Sequence, residues 1–224
     1  MTDRVVVITG ATGVLGNLTA HAFAAQGDSL ALLSIDQAQL DSLAGDLRLP
    51  SDRILPLVVD LLDPKALQDS AKTIAAKFNR VDVLIHLVGG WTGGKTIAET
   101  AVDDFASMLD QHAWTTFHLF QAFVPQLIAN GWGRVITVSL PLTVHPQPKM
   151  SAHAAGKAAQ ESLVLTLAEE TRGTGVTANI LHVNSIDAKG TGKGTSPKEV
   201  VAKMEYLCSE DASTVTGTRI ALDK

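Results

Sequence analysis

Short apolar runs alternate along this chain with longer segments in which apolar residues recur at helical spacing. The runs predict seven strands, at Arg4 to Thr9, Ser29 to Ser34, Ile54 to Asp60, Val81 to Val88, Gly133 to Leu140, Val176 to Val183 and Arg219 to Leu222. Most runs are apolar throughout, as in parallel strands that are covered on both faces. Right-handed crossovers then require helices on both sides. We therefore predict an α/β fold: a single doubly wound Rossmann-type domain over residues 1–224, with a seven-stranded, mostly parallel sheet.

The segments between the strands predict helices. Ser196-Pro197-Lys198-Glu199 offers an N-cap serine, a proline at the first helical position and a capping-box glutamate, so a helix should begin near Pro197. Two longer helices are expected at Asp103 to Asn130 and Ser151 to Arg172. They carry more apolar surface than one sheet face needs. Two interpretations stay open for their aromatic residues, contact with another subunit or ordinary core packing: Trp114, Phe117, Phe120 and Phe123.

Composition narrows the class of protein. Hydrophobic residues make up 46% and charged residues 18% of the 224 positions, and no apolar stretch reaches the roughly 20 residues of a membrane span. The formal charge is −5 with scattered basic residues, so we expect neither nucleic acid nor membrane as a partner. The single Cys208 predicts core packing. Because Met1 to Val7 lacks the pattern of a secretory signal, we expect a cytoplasmic protein.

A glycine-rich turn follows the first predicted strand directly. Thr9 to Gly16 reads T-G-A-T-G-V-L-G and opens an alanine-rich helix. Glycines in this context allow a tight turn, a close approach of backbone amides to a pyrophosphate, and close packing of the helix. The candidate phosphate-binding residues are Gly10, Thr12, Gly13, Val14, Leu15 and Gly16. Strand, turn and helix in this order favour dinucleotide binding over a plain turn.

Acidic residues after the second and third strands complete the nucleotide hypothesis. Asp36 lies about 20 positions beyond Gly16, where a carboxylate hydrogen-bonds the adenosine ribose, and this favours NAD. The alternative is that Asp36 caps the next helix while Ser34 occupies the ribose position, which leaves NADP open. Asp60 is placed to reach the adenine edge, and Asp63 predicts an N-cap.

Four motifs together resemble the short-chain dehydrogenase/reductase family over nearly the whole chain. They are the glycine turn, D-L-L-D at Asp60 to Asp63, V-D-V-L-I at Val81 to Ile85, and G-R-V-I-T-V-S at Gly133 to Ser139. The resemblance implies a nicotinamide cofactor, with Leu61, Val88, Gly89, Lys157 and Ile186 among its contacts. It also implies a homodimer or homotetramer that associates through the two long helices.

The family's catalytic residues are largely replaced in this chain. Its Tyr-x-x-x-Lys motif falls on His153 to Lys157, which keeps the lysine and replaces the tyrosine. The catalytic serine falls on Leu140, with Ser139 one place away, and the asparagine falls on His112. The candidate catalytic residues are therefore His153, Lys157, Ser139 and His112. The histidines lack metal-ligand spacing, so we expect no metal site.

A narrower resemblance is to the dihydropteridine reductase-like branch. It rests on the glycine spacing, on V-G-G-W-T-G-G at Val88 to Gly94, on Gln111-His-Ala-Trp114-Thr, and on Ser34-Ile-Asp36. In that branch the substrate is already activated for hydride, so the serine is dispensable. For Trp91, between Gly90 and Thr92, we expect a cover over the nicotinamide or substrate pocket rather than a stacking platform for nucleic acid. The branch keeps the tyrosine, however, which this chain lacks.

His153 and Lys157 are four positions apart on one predicted helix, so their side chains can share one site. The lysine charge should keep the imidazole neutral, and a neutral imidazole still donates one N–H. Two functions follow. One is an NAD(P)-dependent oxidoreductase that transfers hydride to a small activated ring or carbonyl compound. The alternative is a catalytically silent family member that acts as a nucleotide-binding or assembly subunit.

Overall fold

A computed structural model of the protein describes residues 4–222, so the first three positions of the Met1 to Val7 segment lie outside the described residues. All seven predicted strands are present, each within two residues of its predicted ends. They are β1 Val5–Thr9, β2 Ser29–Ser34, β3 Ile54–Val58, β4 Val83–His86, β5 Gly133–Ser139, β6 Val176–His182 and β7 Arg219–Ala221. Every pairing between them is parallel, in the order β3-β2-β1-β4-β5-β6-β7. The predicted fold class is confirmed.

Helices connect the strands. They are α1 Val14–Ala25, α2 Gln37–Leu47, α3 Pro64–Phe78, α4 Val102–Leu109, α5 Thr115–Ala129, α6 Ser151–Glu170 and α7 Pro197–Leu207. The first long helix predicted from the sequence is thus divided by a π-helical turn at Asp110–Trp114. None of the described helices is both long and apolar enough to cross a bilayer.

Helix starts follow the local signals in the sequence. The carboxylate of Asp63 accepts from the amides of Lys65 and Ala66 at 2.9 and 3.0 Å, as an N-cap does. The Glu199 carboxylate accepts from the amide of Ser196 at 3.3 Å. These local hydrogen bonds explain why the predicted starts of α3 and α7 agree with the structure.

Two apolar clusters cover the two faces of the sheet. One includes Val7, Leu84 and Phe123, and the other includes Ile8, Ile85 and Cys208. Cys208 is buried, and burial raises the pKa of its thiol to about 12, so its predicted packing role is confirmed. The strand order reverses between β1 and β4, and the crevice at the carboxyl ends of these strands is where open α/β sheets bind ligands.

The aromatic residues of the long helices divide between the two interpretations. Phe123 is fully buried and Phe120 packs against the core. Trp114 and Phe117 keep 51% and 39% of their surface exposed. The core interpretation therefore holds for the first two, while the other two lie on the surface shared by α5 and α6.

Candidate functional site

The turn between β1 and α1 depends on glycines, which have no side chain. Gly10 has a φ of +65°, in the left-handed region that favours glycine. A Cβ built on Gly16 would lie 2.1 Å from the carbonyl oxygen of Gly10, so α1 approaches the turn this closely only because Gly16 has no side chain. Gly13 precedes α1 and supplies no side-chain cap. The first amides of α1, including those of Val14 and Leu15, are thus left for an anionic group.

A cavity of about 470 Å³ lies beside this turn, in the crevice where the strand order reverses. Six of the predicted cofactor residues line it: Gly10, Gly13, Asp60, Leu61, Val88 and Gly89. Gln111 and Thr115, from the π-helical turn and the start of α5, close one end. The glycine turn between β1 and α1 and the cavity together have the form that a dinucleotide requires, with its pyrophosphate against the amides of α1.

At the end of β2, the helix cap predicted as one of two roles for Asp36 is present. The carboxylate of Asp36 caps α2, because it accepts from the Gln39 amide at 3.0 Å and from the Gln39 side chain at 2.8 Å. Ser34 lines the cavity instead, and its Oγ is 2.8 Å from Thr12 Oγ1. Asp60 also lines the cavity and accepts from the Leu62 amide at 2.9 Å. The ribose contact of Asp36 stays a prediction.

Three of the remaining predicted cofactor residues have distinct surroundings. The Leu15 side chain lies in the core, so only its backbone faces the turn, whereas the Val14 side chain is 54% exposed. Ile186 follows β6 and is 38% exposed. It forms an isolated parallel bridge with Thr195, which ties the two ends of the intervening loop together.

Three of the four predicted catalytic residues, His112, His153 and Lys157, meet beside Gly89, which lines the cavity. The rings of His112 and His153 contact edge to face, with centroids 5.3 Å apart. Lys157 Nζ donates to the Val138 carbonyl at 2.7 Å and to Gln160 Oε1 at 3.0 Å. A Cβ built on Gly89 would lie 2.6 Å from His112 Cε1 and 3.7 Å from Lys157 Nζ. Since Gly89 lines the cavity, this cluster borders it.

Burial and the lysine charge control protonation in the cluster. Desolvation, followed by the charges of Lys157 and His153, lowers the pKa of His112 to about 3. Desolvation and Lys157 also lower the pKa of His153. Burial lowers the pKa of Lys157 to about 8, partly offset by Glu161. At pH 7 the site therefore holds two neutral imidazoles beside one ammonium group.

The sequence analysis missed a chain of hydrogen bonds beneath the cavity. Thr9 Oγ1 lies 2.7 Å from His86 Nδ1, and Thr115 Oγ1 lies 3.4 Å from His86 Nε2. Thr115 donates to the Gln111 carbonyl at 2.8 Å, so its oxygen accepts from His86 Nε2. Burial, followed by the nearby lysine and histidine, lowers the pKa of His86 to about 3, and the ring stays neutral. The chain fixes the π-helical turn to β1 and β4.

Ser139, the fourth predicted catalytic residue, is engaged elsewhere. Its hydroxyl donates to Glu161 Oε1 at 2.5 Å, and the serine is buried. Leu140, which the family pattern places at the catalytic serine, has no hydroxyl to offer. Gln160 was not among the predicted residues, although its position three residues after Lys157 on a helix is a signal that could have found it.

The matching family model describes a short chain dehydrogenase and covers residues 4–198. The chain belongs to the short-chain dehydrogenase family. The cofactor of this family is a nicotinamide dinucleotide, and the cavity beside the glycine turn is the candidate site for it. The narrower likeness to the dihydropteridine reductase-like branch stays a prediction.

Relatives resemble the chain over nearly its whole length. A 3-oxoacyl-[acyl-carrier-protein] reductase of Thermotoga maritima is 24% identical and is covered over 96% of its length by 98% of this chain. A meso-2,3-butanediol dehydrogenase of Serratia marcescens is 25% identical, with 99% of this chain and 93% of the relative covered. A short chain dehydrogenase structure from Bacillus anthracis superposes with a TM-score of 0.91 at 25% identity, covering 99% of this chain and 95% of that structure.

Proposed function

We propose that the protein is a nicotinamide-dependent reductase that transfers hydride to a small carbonyl or activated ring compound. The observation that carries this proposal is that Gly89, in the wall of the dinucleotide cavity, lies against a charged, largely buried cluster in which Lys157 and two imidazoles meet. The names of the two relatives describe enzymes of carbonyl and alcohol substrates, which supports the same chemistry here.

Each part of the cofactor has residues that suit it. The amides at the start of α1 would hold the pyrophosphate, with Thr12 at the turn. Ser34 and Asp60 would bind the adenosine end, and Val88, Gly89, Lys157 and Ile186 the nicotinamide end. The nicotinamide ring supplies or accepts the hydride when it is bound. The chain's own task is to orient that ring and to handle the proton.

His153 takes the place of the proton donor. Its imidazole is 6% exposed and neutral at pH 7, so it carries a single N–H with which to stabilise a developing oxyanion. General acid assistance of this kind contributes about 10²- to 10⁴-fold to a rate. A weak acid therefore restricts the enzyme to substrates that accept hydride readily, such as an activated ring.

NAD is the cofactor that the cavity favours. Among the described residues that line it, Asp60 is the charged group and no lysine or arginine is present. A 2′-phosphate needs an arginine or a similar cation, whereas a free ribose hydroxyl does not. We expect NADH to bind at least about 10-fold more tightly than NADPH, which corresponds to about 1.4 kcal/mol. Equal or tighter binding of NADPH in a fluorescence titration would contradict this preference.

Catalysis is tested by NADH oxidation with quinonoid and carbonyl acceptors, measured for the wild-type protein, for His153→Asn and for His153→Tyr. Turnover by the wild-type protein that His153→Asn abolishes supports the reductase. His21 is an exposed histidine on α1 and serves as the control, because His21→Asn should leave turnover unchanged. If the wild-type protein binds NADH but turns over none of the acceptors, the reductase proposal fails.

The second candidate is a silent family member that binds nucleotide without catalysis. The engagement of Ser139 by Glu161, together with Leu140 at the serine position, favours it. Under this hypothesis, the wild-type protein binds NADH without turnover, and His153→Tyr gains activity by restoring the missing acid. Failure of both proteins to turn over any acceptor would leave nucleotide binding as the function.

A further inference from the structure

His112 occupies a slot between two glycines. A Cβ on Gly89 would lie 2.6 Å from His112 Cε1, and a Cβ on Gly156 would lie 3.1 Å from His112 Cδ2. Contacts this short show that a side chain on either glycine would push against the imidazole. The π-helical turn at Asp110–Trp114 places the ring in this slot, and such turns are frequent at functional sites. Three separate segments therefore fix the position of the His112 ring: the loop at Gly89, the π-helical turn, and α6 at Gly156.

The hydrogen bond of His112 determines its tautomer. Its Nε2 is 3.1 Å from the carbonyl oxygen of Gly90. Because a carbonyl oxygen only accepts, the ring proton of the neutral imidazole must be on Nε2. His112 Nδ1 is then an unprotonated acceptor, and within the described part of the chain it is buried with no hydrogen-bond partner. Among the described residues, His153 Nδ1 is also buried and has no hydrogen-bond partner.

The surroundings of His153 disfavour a positive charge on it. The neutral His112 ring contacts it at 5.3 Å, and Lys157 lies one turn further along α6. Glu161 is a further turn away and is engaged by other groups. Four other titratable groups lie on the elements packed around α6. His86 lies on β4, and three more line the small cavity beside Ser151 and Ala152: Lys95, Asp104 and Lys149. Lys95 and Asp104 form an ion pair at 3.0 Å.

We propose that His112 is a positioning residue for the proton donor. Its ring, anchored by Gly90, shields one side of His153 from water and holds that imidazole neutral and oriented, with Nε2 left to face the substrate. This inference rests on the proposed reductase function. The inference extends that function, because it predicts an acid group whose strength does not change across the pH range in which a free histidine titrates.

The test is nuclear magnetic resonance of the whole protein with ring-labelled histidines. The chain has seven histidines, and His153→Asn identifies the signal of residue 153. His112→Asn introduces a smaller side chain that admits water, so the pKa of His153 should rise. His112→Phe keeps the ring and its edge contact, so His153 should stay neutral as in the wild-type protein. His21→Asn is the matched control and should move neither signal.

The pH dependence of turnover gives a second measurement. We expect kcat of the wild-type protein to be nearly flat between pH 6 and 7, where Lys157 stays charged, as for His112→Phe. We expect kcat of His112→Asn to be at least about threefold higher at pH 6 than at pH 7, because His153 becomes protonated over this range. A merely structural role for His112 would lower activity without adding this pH dependence.

Defined outcomes overturn the proposal. It fails if His112→Asn leaves the pKa of His153 unchanged, or if His112→Phe raises that pKa as much as His112→Asn does. If His112→Asn does not fold, the wild-type spectrum decides, since a proton on His112 Nδ1 or a His153 signal that titrates near the usual value of about 6.5 contradicts it. The resonance measurements need no turnover, so they remain decisive even if the reductase function itself fails.

Discussion

At the scale of single residues, Gly16 is the position of the nucleotide turn that depends most strongly on having no side chain. A Cβ there would lie 2.1 Å from a backbone atom, the Gly10 carbonyl oxygen, which cannot rotate away. A Cβ on Gly13 would meet the same oxygen at 3.4 Å, an ordinary contact. The turn thus needs glycine at these two places for different reasons, close packing at Gly16 and room for a ligand at Gly13.

Gly16→Ala should both destabilise the protein and weaken nucleotide binding. Forcing a methyl group into a packed site costs about 1 to 3 kcal/mol, and the displaced α1 amides would lose their alignment. We expect NADH affinity to fall at least about 10-fold in the same variant. Gly45→Ala is the control, since Gly45 lies in α2 with open space where a Cβ would point, and this variant should gain up to about 1 kcal/mol. Urea unfolding and NADH titration measure both effects.

Lys157 should make nucleotide binding sensitive to pH. Burial lowers its pKa to about 8, so the ammonium group is charged at pH 7 and is progressively lost as the pH rises through 8. We expect the Kd for NADH to increase severalfold between pH 7 and pH 9. In Lys157→Met this increase should disappear, with binding weak throughout. A pH-independent Kd in the wild-type protein would show that the ammonium group does not contact the cofactor.

At the scale of elements, α6 is joined to the sheet through one buried carboxylate. Glu161 accepts from Ser139 of β5 at 2.5 Å, from His182 of β6 at 2.8 Å and from Arg219 of β7 at 2.6 Å. Thr143, in the turn after β5, donates at 2.8 Å. Ser139 therefore acts between elements, and the same helix that carries His153 and Lys157 is held against three strands.

Replacing this carboxylate should destabilise the protein in a pH-dependent way. Burial raises the pKa of Glu161, but the hydrogen bonds from His182, Ser139, Arg219 and Thr143 outweigh this effect and lower the pKa to about 2. Its unfolded value is about 4.3, so its stabilisation is complete above that pH and is lost as the pH falls towards 2. We expect Glu161→Leu to lose about 3 kcal/mol at pH 7 because Ser139 and His182 stay buried and lose their partner.

Urea unfolding at several pH values checks this prediction. The difference between the wild-type protein and Glu161→Leu should shrink as the pH falls from about 4 to 2. Glu170→Gln, on an exposed glutamate at the end of the same helix, should show no difference at any of these pH values. A deficit that is constant with pH would indicate that packing, and not the charge of Glu161, stabilises the contact.

At the scale of the whole molecule, α5 and α6 share an apolar surface with two adjoining hollows of about 320 and 390 Å³. Phe117 and Leu163 line both of them, and the ring of Trp114 packs edge to face on Phe117 at 6.0 Å. Exposed apolar surface of this kind marks association sites. The homodimer or homotetramer expected from the family resemblance stays a prediction, and this is the surface on which it would form.

Sedimentation of two charge-introducing variants tests that assembly. Phe117→Glu should convert the dimer or tetramer to a smaller species, because a buried, unpaired carboxylate is costly at an interface. Tyr206→Glu, at a comparably exposed aromatic residue of α7 and outside the two long helices, should leave the sedimentation coefficient unchanged. A monomeric wild-type protein at micromolar concentration would contradict the expectation directly.

The sequence by itself determined the elements of this protein. The strands agree with their predicted ends within two residues, and the capping signals at Asp63 and Pro197 located two helix starts. Periodicity, caps and glycine turns act over a few residues, so their physical causes are visible in a short window of sequence. The glycine turn that would hold the nucleotide was predictable in the same way, because Gly10 to Gly16 form it from consecutive residues.

Only the tertiary structure decided which side chains meet. His112 and His153 are 41 positions apart, and their contact depends on a π-helical turn that no local pattern predicted. Adjacent strand residues point to opposite faces, so the one-place difference between Ser139 and Leu140 sends the hydroxyl to Glu161. Such choices follow from how distant elements pack, which a short window of sequence does not contain.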